Sequence, residues 1–376
     1  MSDEVITKRE ILGLIARVAA LTTFSYITMK WLMDALDPAA KQQAQAHEKA
    51  KKLMKSLGIN KEDIKLTKHE LMVASNLVEP AAMCHKWQDI AGLDSVVQEL
   101  RDTVILPIQK RELFTESQLT QPPKGVLLHG PPGCGKTMIA QATAGEAKAR
   151  FINLDVSLLT DKWYGESQKL ASAVFTLARK IAPCIIFVDE IDCLLRSRDS
   201  HDHEATAMIK AQFMQMWDGL ETSSESVVVM GATNRPRDVD RAILRRMPST
   251  FHVALPDERQ RNSIFRRILG MERIHDDLDF SRLAKLTEGF SGSDIREACR
   301  TASVYRMREI KPLIEDDTNV SIEKETFSSG DTKCVMHTDL RSINNDDLLK
   351  AIGKLRESKL HCGFTTQKFA GVGGLD

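Results

Sequence analysis

The sequence predicts an α/β protein: a parallel sheet covered on both faces, then a small α-helical domain, with a membrane-spanning helix at the N-terminus. Three observations predict this. Short continuous apolar runs alternate with amphipathic stretches between residues 126 and 255, the pattern of strands buried on both faces. Beyond residue 257 those runs stop and helical periodicity continues alone. Residues 11–33 (ILGLIARVAALTTFSYITMKWLM) form an apolar stretch, and about 20 such residues suffice to cross a bilayer.

Within that stretch Arg17 stands near one end, where its charge can reach the headgroups, and Tyr26, Lys30 and Trp31 suit the opposite interface. Asp3, Glu4 and Glu10 argue against a cleaved secretory leader and against a mitochondrial presequence. The competing reading is an amphipathic or buried soluble helix, which Arg17 favours. Lys8 and Arg9 precede the stretch, whereas Lys30, Lys41 and Lys49 follow or close it. This slight basic bias puts the large C-terminal part in the cytosol. Residues 38–58 are charged, rich in Ala and Gln, and closed by Gly58, as a helical spacer would be. The expected organisation is therefore an anchor over 1–37 and a helical linker over 38–86.

Composition narrows the function. Lys plus Arg equals Asp plus Glu at 52 each in 376 residues, so no net field draws in nucleic acid. Cysteines at 84, 134, 184, 193, 299, 334 and 362 form no CxxC pair and no Cys/His ligand spacing. Zinc ribbons and disulfide frameworks are excluded, and a reducing compartment fits.

The sheet portion is expected over residues 87–256. VLLHG (126–130) reads as a strand and leads into the helix-like TMIAQATAGEA. SQKLASAVFTLARKIA reads as a helix and leads into the strand CIIFVDE (184–190). SVVVMGATN (226–234) and TFHVAL (250–255) continue the alternation. The helical domain, with its C-terminal helix and tail, is expected over 257–376, from ERQRNSIFRRILG, FSRLAKLTEGF, SGSDIREACRTASVYRMREI and NNDDLLKAIGKLRES. Residues 312–338 are polar and read as a flexible loop, with no strand expected after 257.

The chemistry starts at residue 130. Gly130, Pro131, Pro132, Gly133, Cys134, Gly135, Lys136 and Thr137 satisfy G-x-x-x-x-G-K-[ST] in full, and Met138 follows into the helix. The strand before and the helix after are the context that motif requires. Glycines let backbone N–H groups approach phosphates, and the helix N-terminus adds positive potential. Lys136 then reaches the β- and γ-phosphates, and Thr137 offers its hydroxyl to Mg²⁺. Asp189 and Glu190 close an apolar strand, which puts two carboxylates at its carboxyl end. Asp189 suits the Mg²⁺ shell, and Glu190 suits polarising a water. Asn234 closes the next strand; it can orient that water or serve as a turn residue before Pro236. Arg245 and Arg246 are either a solvated helix face or arginine fingers supplied to a neighbouring copy.

Taken together, the P-loop, DEID, GATNRP, the paired arginines and GFSGSDI resemble the AAA ATPases over residues 87–311. That resemblance implies a P-loop NTPase sheet, ATP and Mg²⁺ as cofactors, and a homo-hexamer. It also implies that Asp89, Ile90, Ala91 and Gly92 frame the adenine, and that Gly292 and Ser293 lie near the ribose and phosphates. KWYGES (162–167) resembles a first pore loop, with Trp163 and Tyr164 gripping an extended peptide through apolar ring surface. His203 falls at the second.

TDKWYGESQKL, DHEATAMIKAQFM and the N-terminal stretch resemble the Msp/thorase group. This implies extraction of tail-anchored membrane proteins at the outer mitochondrial and peroxisomal membranes, with the ATPase facing the cytosol. His129 and Cys193 depart from the group's usual residues. A soluble remodelling ATPase of the katanin type is the alternative; a nucleotide-gated scaffold conflicts with Lys136, Glu190 and the arginines.

Overall fold

The structure is a computed structural model. It describes residues 66–78, 87, 90–114, 122–160, 166–194, 204–221, 225–270, 272–308, 322–326, 332–336 and 341–361, with isolated positions between 21 and 52. Most of residues 11–33 and of the expected linker helix lie outside these. Among the described residues no helix is long and apolar enough to cross a membrane.

The chain divides into two compact units, Met1–Leu77 and Val78–Asp376. In the first, helix α1 (Lys68–Ala74) starts at a reciprocal cap. Thr67 Oγ1 accepts from the Glu70 amide at 3.3 Å, and Glu70 Oε2 accepts from the Thr67 amide at 2.7 Å. Each side chain thereby satisfies an amide that the helix itself leaves unpaired.

Strand β1 (Leu77–Val78) is followed by β2 (Gly125–His129), β3 (Arg150–Leu154), β4 (Cys184–Val188), β5 (Val227–Thr233) and β6 (Ser249–His252), in the order β1-β3-β4-β5-β2-β6. The pairings β3–β4, β4–β5, β5–β2 and β2–β6 are all parallel. Every residue of β4 and β5 is buried. Ile185 and Phe187 join one core cluster, while Ile186 and Val188, which alternate to the opposite face, are equally buried. Helices α2 (Asp94–Leu100), α3 (Lys136–Ala147), α4 (Glu166–Lys180) and α5 (Glu204–Glu221) belong to this sheet portion. The cluster takes Ile139, Ala140, Ala144 and Ala147 from α3. Phe175 of α4 meets Phe213 of α5 edge to face at 4.8 Å between centroids.

A short helix α6 (Arg241–Arg246) precedes β6, and among the described residues four helices follow: α7 (Glu258–Leu269), α8 (Phe280–Leu286), α9 (Gly292–Arg308) and α10 (Asn345–His361). They share a second core built on Phe265, Leu269, Phe290, Ile295, Ala298, Leu348 and Ile352. One expectation fails here. Residues 312–338 include two strands, β7 (Ile322–Thr326) and β8 (Thr332–Met336), paired antiparallel with Lys324 opposite Cys334. IEKET and TKCVM lack the apolar continuity of a buried strand, so the search for such runs passes over them. The intervening FSSGD carries the Gly and Asp signals of a hairpin connection.

Candidate active site

Parallel strands open their carboxyl ends in one direction, and ligands bind in the crevice there. Three strand ends converge at this crevice. His129 at the end of β2 stands in register with Thr233 of β5, and Val188 of β4 with Gly231. The loop after β2 turns on glycines in left-handed backbone. At Gly133 φ is +75°, and a Cβ would stand 2.7 Å from Ser291 Oγ. At Gly135 φ is +95°, and the space a Cβ would occupy is open. A phosphate can therefore approach the backbone next to the N-terminus of α3.

Lys136 is 7% exposed. Its Nζ donates to Gly130 O at 2.9 Å, Pro131 O at 2.8 Å and Asn234 Oδ1 at 2.7 Å. Burial holds its pKa below the usual 10.5. Beside it, Thr137 Oγ1 donates to Asp189 Oδ2 at 2.8 Å. Glu190 follows at φ +48°, left-handed backbone that a residue other than Gly rarely adopts. Its amide donates to Asp189 Oδ1 at 3.0 Å, and its Oε2 accepts from Cys193 Sγ at 3.8 Å. Thr233 Oγ1 donates to Asp192 Oδ1 at 2.6 Å and accepts from the Arg235 amide at 2.9 Å. The end of β5 is thus tied to the turn that follows β4.

Lys136, Thr137, Asp189, Glu190 and Asn234 line a cavity of about 650 Å³. Of the residues singled out in the sequence, Ile90, Ala91, Pro132 to Met138, Asp189, Glu190, Asn234, Gly292 and Ser293 all face it. Gly130 and Pro131 serve instead through their carbonyls on Lys136. Gly92, at φ +78°, offers its carbonyl to Gln260 of α7. Sequence reasoning missed Ile264, Arg267 and Ile268 on α7 and Arg296 on α9, which also line the cavity. Ile264 with Ile268, and Ser293 with Arg296, stand four and three residues apart on their helices, the spacing of one face. The lining includes apolar Ile90, Ile264 and Ile268, and Lys136 supplies an ammonium beside open loop backbone. A flat ring joined to a polyanion fits. The Thr137 hydroxyl and Asp189 carboxylate are hard oxygen donors in contact with each other, which suits Mg²⁺.

Residues 126–255 match the ATPase family associated with various cellular activities (AAA), and residues 277–321 match the AAA+ lid domain. Over 355 residues the chain is 52% identical to a Danio rerio protein named outer mitochondrial transmembrane helix translocase, covering 94% of this chain and 92% of that one. It is 50% identical to the Homo sapiens protein of the same name, covering 94% and 93%. The chain belongs to the AAA ATPase family. Solved AAA ATPase structures agree. The FIGL-1 AAA domain in complex with ADP has a TM-score of 0.60 and 35% identity, covering 76% of this chain and 91% of that one. A katanin structure has a TM-score of 0.59 and 30% identity, covering 77% and 91%.

In this AAA ATPase the lid reaches the P-loop directly: the Ser293 amide donates to Gly133 O at 3.1 Å. The next residue, Asp294, accepts from Ser291 N and Oγ at 2.7 Å and from Lys359 Nζ of α10 at 2.5 Å. Burial pushes the Asp294 carboxyl up, but the bonds from Lys359 and Ser291 outweigh it and leave the pKa below 3.8. Arg245 and Arg246 lie on α6 and do not line the cavity. Asp89, Trp163, Tyr164 and His203 lie outside the described residues.

Proposed function

We propose that this AAA ATPase is held in the outer mitochondrial membrane, and in the peroxisomal membrane, by residues 1–37. On this reading it faces the cytosol and uses ATP to pull tail-anchored proteins out of the bilayer. One observation carries the proposal. Likeness to proteins named outer mitochondrial transmembrane helix translocase extends over 94% of the chain, whereas likeness to FIGL-1 and katanin covers 76–77%.

Hydrolysis follows from the residues already placed. Lys136 exchanges its carbonyl acceptors for the β- and γ-phosphates, while Asn234 stays within reach through its amide. Thr137 and Asp189 would hold Mg²⁺, which would offset phosphate charge. Glu190 takes a proton from water as its oxygen bonds to the γ-phosphorus, and the bond to the departing ADP oxygen breaks. In a homo-hexamer, α6 of one copy completes its neighbour's site. Trp163 and Tyr164, with His203 of the second loop, grip the substrate as an extended chain in the central pore.

The test is extraction of a tail-anchored substrate from liposomes by the full chain. Trp163→Ala and Tyr164→Ala are expected to abolish extraction and retain substantial ATPase activity, because ring area is lost while the nucleotide site is untouched. Were the rings core residues, each Ala would cost roughly 3–5 kcal/mol. A large fall in melting temperature with parallel loss of ATPase activity would overturn the assignment.

A further inference from the structure

Two histidines meet at the base of the P-loop. His129 ends β2 and His252 ends β6, in register on neighbouring parallel strands. Val126, Leu128, Phe251 and Val253 turn into the core cluster, so strand alternation turns His129 and His252 together to the opposite face. Their ring centres stand 5.1 Å apart, with the planes 31° from parallel. Backbone contacts fix this juxtaposition. The Val253 amide donates to His129 O at 2.8 Å, and a Cβ on Gly130 would stand 2.1 Å from Val253 O. His252 is exposed on a strand at the edge of the sheet, whereas His129 is half-buried.

We propose that His129 and His252 form a two-imidazole site for a divalent transition-metal ion of the zinc class, using donors other than those offered to Mg²⁺. Two imidazoles bound at about 2.0–2.1 Å to one tetrahedral ion have ring centres about 5 Å apart. That separation is already present, and a turn of each ring about its own side-chain bond aims a nitrogen at the ion. Imidazole nitrogen suits zinc, nickel and copper, while Mg²⁺ prefers hard oxygen. A metal takes only the neutral ring. Burial first, then His252 and Lys136, hold the His129 pKa below 6.5, which leaves that ring neutral at the pH of the cytosol.

The exposed edge gives the ion a way in from solvent. Among the described residues no group of three or more His, Cys, Asp or Glu side chains forms a ligand set. Water therefore fills the remaining positions, as in an open site rather than a closed structural one. The Lys136 ammonium also repels an incoming cation, so binding is weaker than at a structural zinc site. Once bound, the ion braces the edge strand β6 against β2, the strand that leads into the P-loop.

Isothermal titration of Zn²⁺ into the untagged full chain, kept reduced and loaded with ADP and excess Mg²⁺, tests the site. Zn²⁺ binding is expected in the parent. His129→Gln and His252→Gln are each expected to weaken it about 100-fold, the gain that joining two weak contacts supplies. His252 is exposed, so its replacement leaves the core intact and decides alone should His129→Gln fail to fold. No binding by the parent would overturn the proposal. So would unchanged affinity in His252→Gln, which would leave the ion with thiols such as the exposed Cys193. Binding lost in Asp189→Asn but kept in His252→Gln would assign the ion to the nucleotide site and overturn it as well.

Discussion

Glu190 is held in left-handed backbone beside the Thr137–Asp189 hydrogen bond of 2.8 Å. Strain of this kind costs about 1–3 kcal/mol and persists where surrounding bonds enforce it. Here the Glu190 amide is tied to Asp189 and its carboxylate to Cys193. Glu190→Gln preserves size and backbone but cannot take a proton, so turnover is expected to fall by roughly 100-fold or more. ATP affinity should hold; Lys136→Ala should instead weaken binding itself, and isothermal titration separates the two. His129 supplies a pH test. Burial first, then His252 and Lys136, hold its pKa below 6.5, so the unfolded chain takes up this proton at a higher pH than the folded one. The penalty is absent above pH 6.5 and grows as pH falls through the window beneath it. His129→Gln is expected to flatten the dependence of melting temperature on pH in that window. Lys136, Thr137, Asp189 and Glu190 were legible because motif spacing and strand ends specify them. The Thr233–Asp192 and Lys136–Asn234 bonds were not, since they join residues 41 and 98 positions apart.

At the scale of elements, α10 is tied to the nucleotide site through α9. Lys359 bonds Asp294, stands 4.7 Å from the Phe290 ring centre, and so steadies the segment whose Ser293 amide contacts Gly133. Lys359→Met leaves a half-buried carboxylate without its cation, at a cost of about 1–3 kcal/mol. The expected result is a lower melting temperature together with weaker ADP binding. A fall in melting temperature with unchanged ADP affinity would show that α10 supports the lid alone. Strands β2, β4 and β5 announce themselves as apolar runs because four or more consecutive residues are buried on alternating faces. β3 was harder to see: Arg150 and Asn153 interrupt RFINL, and Asn153 is exposed. The hairpin β7–β8 was invisible to the same criterion because charged and polar residues break up both IEKET and TKCVM. Helices α7 to α10 were legible from periodicity, but not which of their faces would turn to the cavity, since that depends on the lid packing as a whole.

For the whole molecule, an anchor over residues 1–37 predicts that the full chain stays with the membrane pellet after carbonate treatment. A shared site predicts that specific ATPase activity rises with protein concentration until assembly is complete; constant activity from a strictly monomeric sample would contradict it. The cavity adds a different kind of consequence. Its walls come from two separately built cores, the sheet with Lys136 and Asp189 and the lid with Ile264 and Ser293. A bound nucleotide touches both, so it acts as a fastener between them as well as a fuel. At a hundredfold excess over Kd, such a ligand adds about 2.7 kcal/mol to the stability of the folded chain. Starved of adenine nucleotide, the same polypeptide opens more often and offers its backbone to proteases. The supply of enzyme is thereby coupled to the supply of its energy source.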